Sequence, residues 1–411
     1  MGVENLKVTV LGLGYVGLPT AAVIAKNGLE VIGYDISEKV VNTINDGKVH
    51  IIEDGLEELV RNAVDLKQLR ATTVPEESDV FLITVPTPIT EDKKADISYV
   101  ESAVNSITTV LKRGDLIILE STSPVGTTEK VRDIISRSRS DLKCPNVNEA
   151  NPDLFIAYSP ERILPGQTIK ELVSNSRVVG GITKDCSNKA ISFYERYVKG
   201  KIFATNSSTA EMCKLTENAY RDVNIAFANE LSMICDKANI DPKEVIEYSN
   251  FHPRVNILSP GCGVGGHCIP IDPWFIIERD PENTRLINSA RLVNDYKPKW
   301  VIEKIRSAIE EFTKNNGRLP KVSLLGLTYK PDIDDMRESP ALTIARNLSD
   351  SYRDSLSIVE PFIKKCDYGS LGNFESLSSS LEDANIVVKL VNHSSFRNLN
   401  ISEKSNFFDF S

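Results

Sequence analysis

Lys7-Val8-Thr9-Val10-Leu11-Gly12-Leu13-Gly14-Tyr15-Val16-Gly17 is an apolar run that breaks into a G-x-G-x-x-G loop. Asp35 closes the next apolar run, 18 residues after Gly17. The glycine spacing alone is a weak signal. It gains meaning where it follows a strand, opens a helix and has an acid at the end of the next strand. Gly12 suits the tight turn, Gly14 lets the backbone approach a pyrophosphate at the helix N-terminus, and Gly17 lets helix and strand close on each other. Tyr15 and Val16 complete the expected cofactor loop. Asp35 is placed to bond a ribose 2′-hydroxyl and would repel a 2′-phosphate, so the expected cofactor is NAD rather than NADP. The competing reading is a glycine-rich turn in an unrelated α/β fold, and both the acid and the strand order speak against it.

Outward from this loop, residues 1–200 alternate short Val/Ile/Leu runs (8–11, 31–34, 80–85, 116–119, 155–158 and 177–179) with amphipathic stretches. Nearly continuous apolar strands between helices predict a parallel sheet covered on both faces. Residues 209–238 and 284–314 read as two long helices, separated by a Gly/Pro-rich loop at 259–273. From Lys321 the alternation resumes, with strands at 322–327, 356–359, 385–391 and 407–410 and helices at 341–348 and 376–383. The expected fold class is α/β, with two Rossmann-like doubly wound domains joined by a long-helix central region. The expected boundaries are 1–205, 206–315 and 316–411.

Composition narrows the function classes. The 411 residues are 41% hydrophobic and 26% charged, as in ordinary globular proteins. A formal net charge of −9 disfavours nucleic acid and membrane surfaces as partners, since both are polyanions. No stretch approaches the roughly 20 apolar residues of a membrane span. A strand already begins at Lys7, so no secretory leader is expected. Seven cysteines without regular spacing make no disulfide framework and point to a reducing cytoplasm. Four scattered histidines, without a C-x-x-C or H-E-x-x-H pattern, predict no metal site.

Chemistry concentrates in Gly261-Cys262-Gly263-Val264-Gly265-Gly266-His267-Cys268-Ile269-Pro270-Ile271-Asp272. A thiol in a tight glycine loop can approach a substrate closely, and its thiolate can add to an aldehyde. A buried structural cysteine is the alternative. Two further loops fall at strand C-termini, where open α/β sheets bind ligands: Val85-Pro86-Thr87-Pro88 and Glu120 to Thr128. Thr87 and Thr122 can orient the cofactor or the reacting groups, or simply cap turns.

These motifs resemble the UDP-glucose and UDP-N-acetylhexosamine 6-dehydrogenase family. The resemblance also rests on Ser159-Pro160-Glu161-Arg162, on Glu211-Met212-Cys213-Lys214-Leu215-Thr216-Glu217-Asn218, and on Gly326-Leu327-Thr328-Tyr329-Lys330-Pro331-Asp332-Ile333-Asp334-Asp335-Met336-Arg337, in that order. It implies an NAD-binding domain, a helical dimerisation core, a smaller UDP-binding domain, and a four-electron oxidation using two NAD. It also implies a place in polysaccharide biosynthesis. The catalytic set it implies is Cys268, Lys214, Asn218, Asp272, Glu161 and Thr122. Lys214 and Asn218 are four apart and share one helix face, where an ammonium and an amide suit a developing oxyanion. Outside the family, such a pair would read as an ordinary solvated face.

The implied mechanism begins with loss of the C6 hydroxyl proton through water held by Asp272 and Thr122. Cys268 then captures the aldehyde as a thiohemiacetal, a second oxidation gives a thioester, and water activated by Glu161 or Asp272 releases the acid. The resemblance further implies substrate contacts from Glu161, Arg162, Lys214, Asn218, Gly265 and Lys330, and from Arg254 across a dimer interface. Arg337 is expected on the cofactor side.

His267-Cys268, Pro160-Glu161-Arg162 and Asp272-Pro273-Trp274-Phe275 are similar to the N-acetylhexosamine branch, so UDP-N-acetylmannosamine is the expected substrate ahead of UDP-N-acetylglucosamine or UDP-glucose. Glucose-specific members carry a second glutamate where this chain has Pro165. His267 reads either as a substrate contact or as a residue that shapes the loop. Any terminal helix usual in the family is expected to be short or absent. Two other readings stay open: a hydroxyacid dehydrogenase making one NADH per turnover, and a non-catalytic regulator that binds NAD or nucleotide sugars.

Overall fold

The computed structural model describes residues 6–148, 151–164, 166–363, 371–399, 401–402 and 405–411; Pro165 and Cys366 lie outside them. The chain divides into two compact units, Met1–Thr216 and Glu217–Ser411, the division falling within one helix.

The first unit runs β1 (Lys7–Leu11), α1 (Gly17–Lys26), β2 (Glu30–Tyr34), α2 (Glu38–Asn45), α3 (Leu56–Asp65), β3 (Leu69–Thr72), β4 (Val80–Ile83), α4 (Ser98–Ile107), β5 (Leu116–Leu119), α5 (Thr127–Ser138), β6 (Phe155–Tyr158), α6 (Thr168–Ser174), β7 (Arg177–Gly181), α7 (Lys184–Tyr194), β8 (Ile202–Asn206) and the start of α8 (Ser207–Ala238). Its strands form one sheet in the order β3-β2-β1-β4-β5-β6-β7-β8. β4, β5 and β7 are buried at every position, as strands covered on both faces must be. Chain order reverses between β1 and β4, which opens a crevice at their C-terminal ends.

Two features differ from the sequence reading. β6 and β7 pair antiparallel, so the sheet is mixed. β3 and β8, the two edge strands, escape the apolar pattern because an edge strand needs only partial burial; Phe203 on β8 stays 45% exposed.

The second unit continues α8 and adds α9 (Pro242–Asn250), α10 (Asp272–Arg279), α11 (Arg285–Asn316), β9 (Val322–Leu325), α12 (Pro340–Tyr352), β10 (Leu356–Val359), β11 (Asn373–Phe374), α13 (Leu377–Glu382), β12 (Ile386–Lys389) and β13 (Asn406–Asp409). Its sheet, β11-β10-β9-β12-β13, is parallel throughout and again reverses chain order beside its first strand. Helix signals are local: Asp241 caps α9 ahead of Pro242, Ser339 caps α12 ahead of Pro340, and Gly317 ends α11 at φ +65°. α11 carries Pro298 in its interior, where a prolyl ring forfeits a backbone hydrogen bond. Among the described residues no helix is long and apolar enough to cross a membrane.

Candidate active site

In the first unit the glycine loop is built by close approach. Gly12 turns at φ +89°, and its N–H donates to Tyr34 O at 2.8 Å. A Cβ on Gly17 would lie 1.8 Å from Gly12 O and 2.5 Å from Thr84 Oγ1, so α1 can begin there only with glycine. At Gly14 a Cβ would meet nothing within 4 Å, which leaves open space over the turn, and no side chain caps α1. Tyr15 is exposed and Val16 half-buried beside that space. Asp35 accepts the Leu13 and Ser37 N–H groups, each at 2.9 Å, which orients its carboxylate at the loop. A helix N-terminus with backbone room over it, and an acid at the end of β2, fit a dinucleotide.

The loops after β4 and β5 are tied together: Thr87 Oγ1 donates to Thr122 O, and Ser121 Oγ donates to Val85 O at 2.6 Å. Behind them, Glu211 of α8 receives the Gly126 and Thr128 N–H groups at 2.7 and 2.8 Å and so caps α5. Burial pushes its carboxyl up to about 7.

Glu161 follows β6 and is turned inward. Its Oε2 accepts Arg177 Nη2 at 2.6 Å and its Oε1 accepts the Arg162 N–H at 3.3 Å, while its backbone carbonyl accepts Lys214 Nζ at 2.8 Å. The Arg162 guanidinium donates to Ser176 O at 3.4 Å. Arg177 and Glu120 were not singled out from the sequence. A charged residue heading an apolar strand was the available signal for Arg177.

In the second unit, the two cysteines of the glycine loop separate by burial. Cys262 is buried, its thiol reaches Leu390 O at 3.5 Å, and burial pushes its pKa up to about 12. Cys268 is exposed. The loop between them is pressed against its surroundings: a Cβ on Gly263 would meet Pro340 at 2.8 Å and Pro298 at 2.9 Å, and one on Gly265 would meet Glu338 O at 2.6 Å. Gly266 N–H donates to Arg337 O at 3.2 Å. After Cys268 the chain turns once into α10, with Asp272 N–H on Cys268 O at 2.9 Å. Asp272 is buried and accepts the Asn218 side-chain amide. His267 is exposed beside Cys268; desolvation by the loop and the neighbouring Arg337 charge lower its pKa. Arg254 is exposed on the loop after α9.

The second sheet repeats the first unit's turn. Gly326 follows β9 at φ +91°, its N–H donates to Val359 O at 2.9 Å, and Leu327 N–H donates to Glu360 Oε2 at 2.7 Å. Phe362 N–H takes the other oxygen at 2.9 Å. His393 is fully buried, with Nε2 3.3 Å from Glu360 Oε2. Burial opposes ionisation of Glu360, but these donors outweigh it and hold the carboxyl below its ordinary value. Lys330 is half-buried on the loop after this turn, and its carbonyl accepts Thr328 Oγ1 at 2.9 Å. Arg337 binds both oxygens of Asp335, at 2.6 to 3.0 Å.

The first unit thus carries Gly12, Gly14, Tyr15, Val16, Gly17, Asp35, Thr87, Thr122, Glu161, Arg162 and Lys214, and the second carries Asn218, Arg254, Gly265, His267, Cys268, Asp272, Lys330 and Arg337. Among the described residues no group of three His, Cys, Asp or Glu side chains could hold a metal ion.

Residues 6–198, 208–296 and 323–409 match, in turn, the NAD binding, central and UDP binding domains of the UDP-glucose/GDP-mannose dehydrogenase family. An NDP-N-acetyl-D-galactosaminuronic acid dehydrogenase of Ralstonia solanacearum is 51% identical over 394 residues, 95% of this chain and 92% of the relative. A UDP-N-acetyl-D-mannosamine dehydrogenase of Campylobacter jejuni is 50% identical over 396 residues, 95% of this chain and 96% of the relative. The solved structure of the UDP-D-ManNAc dehydrogenase of Pyrococcus horikoshii is similar at a TM-score of 0.88 and 36% identity, covering 98% of this chain and 99% of that one.

Proposed function

The chain belongs to the UDP-glucose/GDP-mannose dehydrogenase family and is an NAD-dependent dehydrogenase; on that premise we propose that it oxidises the C6 alcohol of a UDP-N-acetylhexosamine to the uronate. UDP-N-acetyl-D-mannosamine is the first candidate substrate. A galacto-configured N-acetylhexosamine is the second, because relatives at 50–51% identity carry the name NDP-N-acetyl-D-galactosaminuronic acid dehydrogenase.

The observation that carries the reading is the pairing of an exposed Cys268 with a buried Asp272 one turn later, itself held by the Asn218 amide. Bound NAD supplies the hydride acceptor for both oxidations. Asp272, with Thr122, holds the water that takes the C6 hydroxyl proton. The Cys268 thiolate adds to the aldehyde carbon to give a thiohemiacetal. Loss of its C6 hydride leaves a thioester. Water attacks the thioester carbonyl, Asp272 takes its proton, and the Cys268 thiolate departs. Asp272, one turn after Cys268, is placed to serve as this base. Lys214 and Asn218 stabilise the oxyanions. Gly12, Gly14, Tyr15, Val16, Gly17, Asp35 and Thr87 serve the cofactor, with Arg337. Arg162, Arg254, Gly265, His267 and Lys330 serve the UDP-sugar. The chemistry needs a reduced Cys268, in keeping with a cytoplasmic place.

We also propose three functional regions, 1–205, 206–315 and 316–411, the middle one pairing two copies into a homodimer. On α8, Tyr220, Phe227 and Ile234 recur every seven residues and are 68%, 55% and 60% exposed. α11 adds Leu292 and Tyr296, 59% and 45% exposed. An apolar stripe at coiled-coil spacing supports isologous pairing.

The test is NADH yield with a panel of UDP-sugars. Two NADH per UDP-N-acetylmannosamine, without free aldehyde, is the expected result. One NADH would return the chain to a plain alcohol dehydrogenase, and none with any sugar would make it a binding protein.

A further inference from the structure

One guanidinium and two carboxylates are shut inside the first unit behind the strand ends that carry Thr122 and Glu161. Arg177, at the head of β7, is 2% exposed. Its Nη2 donates to Glu161 at 2.6 Å, while Nη1 stands 3.6 Å from Glu120 Oε1. The guanidinium lies 4.5 Å from the centre of the Tyr194 ring, and the Tyr194 hydroxyl donates to Glu120 at 2.6 Å. Burial pushes Glu120 up to about 7, and the closer contact of the guanidinium is the one to Glu161.

The consequence falls on Lys214. A lysine beside a glutamate would ordinarily take the carboxylate as its counter-ion. Here the Glu161 carboxylate is turned inward onto Arg177, and among the described residues Lys214 donates to the Glu161 carbonyl, at 2.8 Å, rather than to its carboxylate. A neutral carbonyl fixes the ammonium without cancelling its charge, which stays available for a developing oxyanion.

We propose that Arg177 is a positioning residue for Lys214: its buried ion pair with Glu161 fixes the Glu161 backbone, so that the carbonyl rather than the carboxylate holds the ammonium. The inference rests on the reading of Lys214 as an oxyanion stabiliser.

The test is a rescue. Arg177→Met frees the Glu161 carboxylate to take Lys214, and kcat should fall about a hundredfold, the scale of losing one oxyanion donor. Adding Glu161→Gln removes the competing charge and should restore kcat at least about tenfold over Arg177→Met alone, a non-additivity that two independent packing defects do not produce. A double variant as poor as Arg177→Met, or worse, overturns the proposal. Should Arg177→Met fail to fold, Arg177→Lys takes its place. The shorter, unforked ammonium holds the carboxylate less well, so kcat should fall about tenfold, and Glu161→Gln should again restore it. No restoration in that background is equally fatal. Lys214→Ala separates the two levels. If it keeps normal turnover, the oxyanion reading fails and the inference with it. If it loses turnover but no rescue is seen, only the role of Arg177 falls.

Discussion

Asp35 and Glu360 occupy equivalent places in two different sheets. Each follows the second strand of its unit and accepts the backbone N–H just past a left-handed glycine, Leu13 to Asp35 at 2.9 Å and Leu327 to Glu360 at 2.7 Å. Each gives its other oxygen to the N–H two residues on. They part company in what lies outside. Asp35 is half-exposed, whereas His393 stands over Glu360, whose side chain is wholly buried.

The two acids should therefore respond differently to removal. Asp35→Ala is expected to weaken NAD binding about tenfold and to narrow the preference over NADP, since one charged hydrogen bond and one repulsion vanish. Glu360→Ala should leave NAD affinity unchanged and lower the melting temperature, because it strands buried N–H donors. Fluorescence titration with NAD and NADP, beside thermal melts, checks both. A wild-type preference for NADP would end the Asp35 assignment.

The thiols divide just as sharply. Cys268→Ala should lose nearly all steady-state carboxylate production while still binding NAD and UDP-sugar, and Cys268→Ser should trap an ester, since an alkoxide leaves less readily than a thiolate. Cys262→Ala should keep turnover and lose about 1 kcal/mol or somewhat more of stability as a small core truncation. Mass spectrometry for the adduct and NADH stoichiometry read the first pair, urea unfolding the last. A Cys268→Ala enzyme turning over normally would refute covalent catalysis.

Lys297 sets a pH dependence of stability. It is 2% exposed on α11, donates to Ser232 Oγ at 2.6 Å, and burial lowers its pKa to about 8. The ammonium therefore costs the folded state below about pH 8, and the cost is relieved as pH rises from there toward the ordinary 10.5. Lys297→Met should stabilise the protein at pH 7 by on the order of 1–3 kcal/mol, with the gain shrinking at higher pH. Urea unfolding at pH 7 and pH 9.5 measures it. A variant less stable at pH 7 would mean that the Ser232 bond and the Trp300 ring, 4.2 Å from the ammonium, outweigh desolvation.

Phe227 tests the assembly. Phe227→Asp places a charge in the middle of the α8 stripe and should convert a dimer into monomers by light scattering, without loss of secondary structure. A wild-type monomer at micromolar concentration would remove the isologous interface and with it the shared role of Arg254.

What the sequence determined by itself was local. Strand, glycine turn and helix at 7–26 follow from residues within one or two turns of each other, and so do the long periodic stretches of α8 and α11. The spacing of Gly12, Gly14 and Gly17 and the position of Asp35 could be read because they are set by one βαβ unit. Tertiary structure alone decided which of Cys262 and Cys268 is exposed, that β6 and β7 run antiparallel, and that β3 and β8 close the edges. It also decided the partners of the buried charges: Glu161 with Arg177, 16 residues on, and Thr128 with Glu211, 83 residues on. A buried ion has no preference that a sequence pattern records, since its partner is whatever opposite charge or donor the folded chain brings within about 3 Å to offset desolvation. Periodicity states which face of a strand or helix turns inward. Only the packing of distant segments states what that face then meets.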